Sequence, residues 1–386
     1  MKKILFLHAG AEMYGADKVM LDLISRLNSE QYQPLVVLPT EGVLVTKLRE
    51  ANVSVEVMPY PVMRRKYFNP VGALSYFFDF IKYSNQLIKF AKKHKIDIIH
   101  TNTAAVMEGA FVSKRLGLPQ LWSIHEIIVS PRFMYKFTSA VISRYSTLTV
   151  TDSKAVKVHL ERSGYFSSSA PRVIYNGVDS ERFSPANSAS YLYDELNIPK
   201  NAKIIGMMGR VNSWKGQDDF LTAAELVMAE DETVYTVFVG SAFAGEEWRE
   251  ADLKDRISKS KYKDRIINQG YRTDSQAFYK LFDVFVLPST RPDPLPTVVL
   301  EAMATGKPIV GYRHGGVCEM VSEGYNGLLA DVGDTADLGN KILSIVENPE
   351  LLATMGLHSR KRLVSNFSMD AYVRNYEDAY EYLIKK

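Results

Sequence analysis

The chain has 386 residues, 46% hydrophobic and 24% charged, with a formal net charge of +3. This is globular composition, long enough for about two domains, and it excludes both a disordered chain and a strongly basic nucleic-acid binder. One cysteine, Cys318, excludes an internal disulfide and any zinc site built on several thiolates.

Short apolar runs alternate with helical periods along the chain. Strands are expected near residues 3–8, 34–38, 54–58, 97–100, 120–124, 147–151 and 172–175, with helices near 15–27, 74–93, 105–116 and 153–162. Strand–helix alternation reads as βαβ units and hence a parallel sheet covered on both faces. Turn chemistry at Asn176-Gly177-Val178-Asp179 and a small polar stretch at 184–190 interrupt the pattern, so the domain junction is expected near 175–200. A second α/β series follows, with strands near 203–209, 235–239, 265–270, 283–287 and 308–312. Helical periods at 335–346, 351–364 and 369–384 come after it. The fold class is therefore α/β, with two Rossmann-like, doubly wound domains facing across a cleft. The first is expected over residues 1–182, joined by a C-terminal helix over 369–386, and the second over 183–368. Open α/β sheets bind ligands at the carboxyl ends of their strands. The first strand is too short for a signal-peptide core, and no run reaches the ~20 apolar residues of a membrane span, so a cytoplasmic protein is expected.

The segment PSTRPDPLPTVVLEAMATGKPIVGYRHGGVCE, residues 288–319, is the most informative. A helix is expected over 296–305, with Pro296 at its first position and Gly306 at its C-terminal cap. Its uncapped amides, at Thr297, Val298 and Val299, would suit an anion. Glu301 in the second turn suits vicinal hydroxyls such as those of a ribose; as an ordinary helix residue it would instead be solvated. Asp293 precedes the helix. A second segment, GRVNSWKG at 209–216, leaves a strand and opens a helix. Its Arg210 can hold phosphate oxygens bidentately, and Lys215 offers a point charge; both could also be plain surface cations. HAGAEMYGA, residues 8–16, joins the first strand to the first helix, and Gly15 permits close backbone approach. Its spacing is not the dinucleotide fingerprint, so no nicotinamide cofactor is expected. His125 follows a strand and can hydrogen-bond a sugar hydroxyl, or be a core histidine.

Taken together, YGADKVMLDLI, SIHEI, YNGVD, GRVNSWKGQDDFLTA and DPLPTVVLEAMATGKPIVGYRHGGVCEMVSEGYNGLL resemble the GT-B-fold glycosyltransferases, and among them the retaining family 4, over nearly the whole chain. The resemblance implies a nucleoside-diphosphate sugar as donor, a saccharide or lipid-linked saccharide as acceptor, no cofactor and no metal. It implies that Arg210 and Lys215 hold the diphosphate, Glu301 the ribose, and Asp293 and His125 the transferred sugar. Gly15, Pro296, Thr297, Val298 and Gly316 would line the donor. Two departures, Asp293 where the family commonly has Glu and Pro296 where it often has Gly, bear on donor identity. Two alternatives share this architecture: a sugar-nucleotide epimerase and a non-catalytic sugar-nucleotide-binding protein.

Arg64, Arg65 and Lys66 precede a helical period over 74–93 with Leu74, Phe77, Phe78, Ile81, Ile88 and Ala91 on its apolar positions. This region is either a peripheral contact with anionic membrane or a lipid-linked acceptor, or a buried helix with a solvated cationic face.

Overall fold

The computed structural model describes residues 1–385, which form two α/β units. Lys386, the last residue of the expected C-terminal helix, lies outside the described residues. The first unit is Met1–Asn176 with the segment from Asp370, and the second is Gly177–Met369. Residues 177–182, expected with the first domain, go with the second. Val178 N donates to Phe367 O at 3.1 Å, and Val178 forms a parallel bridge with Ser368.

The first unit runs β1 (Lys2–Leu7), α1 (Gly15–Arg26), β2 (Tyr32–Leu38), α2 (Val43–Glu50), β3 (Ser54–Val57), α3 (Pro70–His94) and β4 (Ile98–Thr101). It continues α4 (Glu108–Leu116), β5 (Gln120–Ile124), α5 (Arg132–Tyr145), β6 (Leu148–Thr151), α6 (Lys154–Glu161) and β7 (Arg172–Val173). Its parallel sheet has the order β3-β2-β1-β4-β5-β6-β7. The second unit runs α7 (Ser190–Glu195), β8 (Lys203–Met208), α8 (Gln217–Glu230), β9 (Val234–Val239), α9 (Trp248–Lys259), β10 (Ile266–Gln269) and α10 (Ser275–Leu281). Then come β11 (Val284–Leu287), α11 (Thr297–Ala304), β12 (Ile309–Tyr312), α12 (Val317–Met320), β13 (Gly327–Ala330), α13 (Thr335–Val346) and α14 (Pro349–Asn366). Its parallel sheet has the order β10-β9-β8-β11-β12-β13. The last helix, α15 (Met369–Lys385), packs within the first unit from Asp370 onward.

Alternation along the strands assigns the two faces of the first sheet. Leu5, Leu7, Leu35, Val37 and Ile99 meet Leu87, Ile88 and Ala91 of α3. Phe6 and His100 point the other way, with ring centroids 4.6 Å apart, toward α15. There Tyr372, Tyr376 and Tyr380, spaced by four residues, are buried. Tyr380 OH lies 2.7 Å from His100 Nδ1, and Tyr376 OH 2.9 Å from Ser123 Oγ. Burial holds the His100 imidazole well below its ordinary pKa, so this strand-end histidine is a neutral core residue.

Helix α3 starts earlier than its apolar period suggests. Asn69 Oδ1 accepts from Gly72 N at 2.9 Å, and Pro70 takes the first helical position. Only its C-terminal half is buried, through Ser84, Leu87, Ile88 and Ala91. Val71, Leu74, Phe77 and Phe78 are 80, 58, 57 and 63% exposed, so this is not a helix buried along its length.

Glu108 opens α4 and is fully buried. Burial pushes its carboxyl up to about 8, against the opposing pull of the Glu108 and Met107 amides. Between the ordinary carboxylate pKa and about 8, the unfolded chain releases this proton while the folded chain keeps it. Glu108 therefore favours folding in acid, and its contribution is lost as pH rises through that window. Replacing it with Gln should flatten this fall by a few kcal/mol, on the order of the shift. Urea unfolding of Glu108→Gln at a series of pH values measures it; parallel pH profiles for the two proteins would refute the assignment.

Candidate functional site

In each sheet the strand order reverses once, between β1 and β4 and between β8 and β11. Crossovers leave such a point toward opposite faces, and open α/β sheets bind ligands at the carboxyl ends of the two strands that flank it. The sequence-predicted residues of the second unit gather at its reversal.

The loop after β8 carries Arg210 and Lys215. Asn212 shapes it: its Oδ1 accepts from Trp214 N at 3.0 Å and Lys215 N at 2.9 Å. Such a side-chain turn stands in for a backbone turn. Gly216 holds φ +81°, and a Cβ there would overlap the Pro288 carbonyl, so the turn into α8 runs directly against the end of β11. Thr290 N donates to Trp214 O at 2.8 Å, tying the two loops together. Arg210 is half-buried, its guanidinium stacked 3.6 Å from the Phe243 ring centroid.

Lys215 and Asp293 meet. Lys215 Nζ donates to Asp293 Oδ2 at 2.9 Å, with side chains 16% and 12% exposed. Ser289 Oγ donates to the same carboxylate oxygen at 2.6 Å. The loop after β12 closes on Asp293 from the far side: Gly316 N donates to Asp293 O at 2.8 Å, and His314 Nε2 bonds the Ser289 carbonyl. A Cβ on Gly316 would overlap the Pro294 carbonyl oxygen, so only glycine permits this approach. An ammonium has three donors, so Lys215 can keep Asp293 and still reach an anion.

Helix α11 begins one residue later than expected. Pro296 is its N-cap, not its first helical residue, because ψ of 111° leaves it extended. Val299 N is also taken, donating to Pro296 O at 3.0 Å. Thr297 N and Val298 N have no hydrogen-bond partner among the described residues. Those two amides, without a side-chain cap, present the positive end of the helix. Glu301 is not solvated: it is 6% exposed, and Tyr279 OH donates to its Oε2 at 2.6 Å. Burial and Glu301 hold the Tyr279 phenol well above its ordinary pKa, so it remains a donor. The phenol fixes the carboxylate rotamer, and nothing local in the sequence links these two residues.

Gly15 and His125 belong to the first unit. Gly15 opens α1, where Asp17 Oδ2 accepts from Tyr14 N at 2.8 Å. Asp17 Oδ1 lies 2.5 Å from His8 Nε2. His8 Nδ1 lies 3.0 Å from Asn102 O, so the ends of β1 and β4 are joined at their own reversal point. Asn102 Oδ1 lies 3.0 Å from His125 Nε2, and His125 Nδ1 lies 3.4 Å from Asp152 Oδ2. Two histidines, each with a buried aspartate, are thus bridged by Asn102. Burial alone would lower the His125 pKa; the hydrogen bond and charge of Asp152, with Glu126, raise it above the ordinary imidazole value. Asp152 and Asn102 were findable by the strand-end rule that picks out His125, since each directly follows its strand.

Two family models match. "Glycosyltransferase Family 4" covers residues 13–182 and "Glycosyl transferases group 1" covers residues 192–362. The chain belongs to the GT-B glycosyltransferases of the family 4 type. It is 26% identical over 377 residues to the Escherichia coli UDP-Gal:alpha-D-GlcNAc-diphosphoundecaprenol alpha-1,3-galactosyltransferase, covering 95% of this chain and 93% of that one. It is 27% identical over 254 residues to the lipopolysaccharide core biosynthesis mannosyltransferase LpsB of Rhizobium meliloti, covering 64% of this chain and 72% of that one. Anabaena Alr3699/HepE, solved in complex with UDP and glucose, superposes with a TM-score of 0.85 at 25% identity. The match covers 99% of this chain and 100% of that one.

Two measurements check this geometry. In Asp152→Asn, the His125 imidazole should titrate at lower pH than in the parent, read from its carbon-bound proton shifts by NMR. An unmoved titration would remove Asp152 as its partner. Gly316→Ala should destabilise the second unit by ~1–3 kcal/mol, the usual cost of overpacking. Calorimetry reads this as a lower Tm, and an unchanged Tm would show that the loops after β11 and β12 separate freely.

Proposed function

We propose that this chain transfers a hexose from a nucleoside diphosphate hexose to a saccharide or lipid-linked saccharide, with retention at the anomeric carbon, in the assembly of cell-surface polysaccharide or glycolipid. The observation that carries the proposal is the meeting of Lys215, Asp293 and the α11 start at the strand reversal of the second unit. The chemistry asks for this arrangement. A nucleoside diphosphate departs with its negative charge while positive charge grows on the sugar. Lys215, Arg210 and the Thr297 and Val298 amides supply fixed positive charge to the departing group. Glu301, its rotamer held by Tyr279, accepts from the ribose hydroxyls. Asp293 faces the sugar, and its bond to Lys215 keeps that carboxylate beside the cation it helps to place. His125, carried into this role by the family resemblance, has both ring nitrogens held, by Asn102 and Asp152, and acts through its charge rather than as a hydrogen-bond donor.

Same-face departure and attack is the favoured route to retention, since no residue stands out as a nucleophile. Arg210 and Lys215 do the work that a metal does elsewhere. Uridine is the favoured base, because the E. coli relative is named for UDP-Gal and HepE was solved with UDP-glucose.

Incubation with uridine, guanosine and adenosine diphosphate hexoses, with and without a lipid-diphosphate-linked saccharide, tests this by release of nucleoside diphosphate. Release should come from the uridine donors. Lys215→Ala should lower kcat by about 10²–10³, the usual cost of removing one donor aimed at developing charge. Glu301→Gln should chiefly raise the donor KM, by about tenfold, as expected for lost uniform binding. Tight nucleotide binding without turnover of any donor would overturn transfer in favour of a binding-only protein.

A further inference from the structure

The loop after β9 carries one bulky apolar side chain, Phe243, in the otherwise small-residue run 240–245. Phe243 is half-buried, at the carboxyl end of the sheet and outside the buried core. Its ring has a specific neighbour: the Arg210 Cζ lies 3.6 Å from the ring centroid. At that separation a guanidinium standing on edge would drive a nitrogen into the ring, so the group lies flat on the ring face. Guanidinium N–H bonds lie in the plane of the group and point outward, so face stacking occupies none of them. A guanidinium held in this way keeps its fork for a bidentate bond to phosphate oxygens while losing its freedom to swing.

Both partners stand on fixed backbone. Gln217 Nε2 donates to Arg210 O at 2.8 Å. Val211 N donates to Ser241 O at 3.0 Å, tying the loop after β8 to the loop after β9. Gly240 holds φ +139°, and a Cβ there would overlap the Gly209 carbonyl oxygen, so the two loops leave their strands in contact. On the other side, Glu246 N donates to Phe243 O at 2.8 Å, and the Glu250 carboxylate of α9 accepts from Ala242 N. The ring is thus a fixed platform under a long side chain that would otherwise sample many rotamers.

We propose that Phe243 is a positioning residue for transfer: its ring holds the Arg210 guanidinium flat, with the N–H edge left for the departing diphosphate. The proposal rests on the reading of Arg210 as a diphosphate ligand. A cation already oriented needs no reorganisation as charge grows on the leaving group. The loop after β9 thereby takes a part in the site, although β9 does not flank the strand reversal.

The test is a double-mutant cycle between Phe243→Leu and Arg210→Ala, read as calorimetric affinity for uridine, guanosine and adenosine diphosphate. Phe243→Leu should weaken binding of the accepted nucleotide by about tenfold, the scale of a partly desolvated cation–π contact. Phe243→Tyr, which keeps the ring face, should restore it. In the Arg210→Ala background, Phe243→Leu should leave affinity unchanged. A second readout needs no nucleotide. The Arg210 Nε proton, shielded by the ring face, should resonate upfield in the parent and in Phe243→Tyr, and lose that shift in Phe243→Leu. Equal melting temperatures across the set show that the variants fold. A loss in Phe243→Leu that is as large without Arg210 would make the ring a structural prop and overturn the proposal. So would a gain in affinity, which would mean that the ring competes with the diphosphate for Arg210. A loss in Arg210→Ala with none in Phe243→Leu would overturn the proposal alone. Parental binding by Arg210→Ala, or no nucleotide binding at all, would remove the diphosphate reading and the proposal with it.

Discussion

Two parallel strands cannot be joined by a tight turn, and the crossover between them must travel over a face of the sheet. Where the order of strands reverses, successive crossovers are forced to opposite faces, and the loops that leave the two flanking strands lie side by side above the sheet. Everything assigned to the second unit depends on that constraint. Lys215 follows β8 and Asp293 follows β11, far apart in sequence and adjacent only because these two strands flank the reversal. The first unit obeys the same rule with other residues, joining His8 after β1 to Asn102 after β4.

The two reversal points are furnished differently. That of the second unit combines a cation, helix amides and a buried carboxylate, which suits an anionic leaving group next to a ribose. That of the first unit is a relay of imidazoles and carboxylates, Asp17–His8–Asn102–His125–Asp152, in which every polar group is partnered by another. Partnership of this kind fixes ring orientation and protonation together, because moving either histidine breaks a bond to Asn102.

Legibility in the sequence followed locality. The α11 segment was readable because its strand, loop, helix and next strand are contiguous, with Gly306 and Pro308 punctuating them. Even so, Pro296 proved a cap, since proline's fixed φ serves either position and only ψ separates them. The environment of Glu301 was not readable: its burial depends on Tyr279 from another helix. Helix α5 escaped because Phe133 and Phe137 are apolar on its outer face, which blurs the period set by Met134, Thr138 and Ile142. Helix α9 escaped for the opposite reason, as it buries only Leu253 and Ile257. Strand β13, four residues of GLLA, is too short to show a pattern.

Helix α15 is the last element to leave the ribosome among those described. Its tyrosines complete a core whose other members, Phe6, His100 and Ser123, lie in the earliest part of the chain. The ribosome therefore delivers the entire second unit before the first can close its last face. Until then His100 and Ser123 wait without their phenol partners. The second unit can meanwhile fold as an uninterrupted segment. The nascent first unit is thus the stage at which this core is incomplete, and loss of α15 would leave it so.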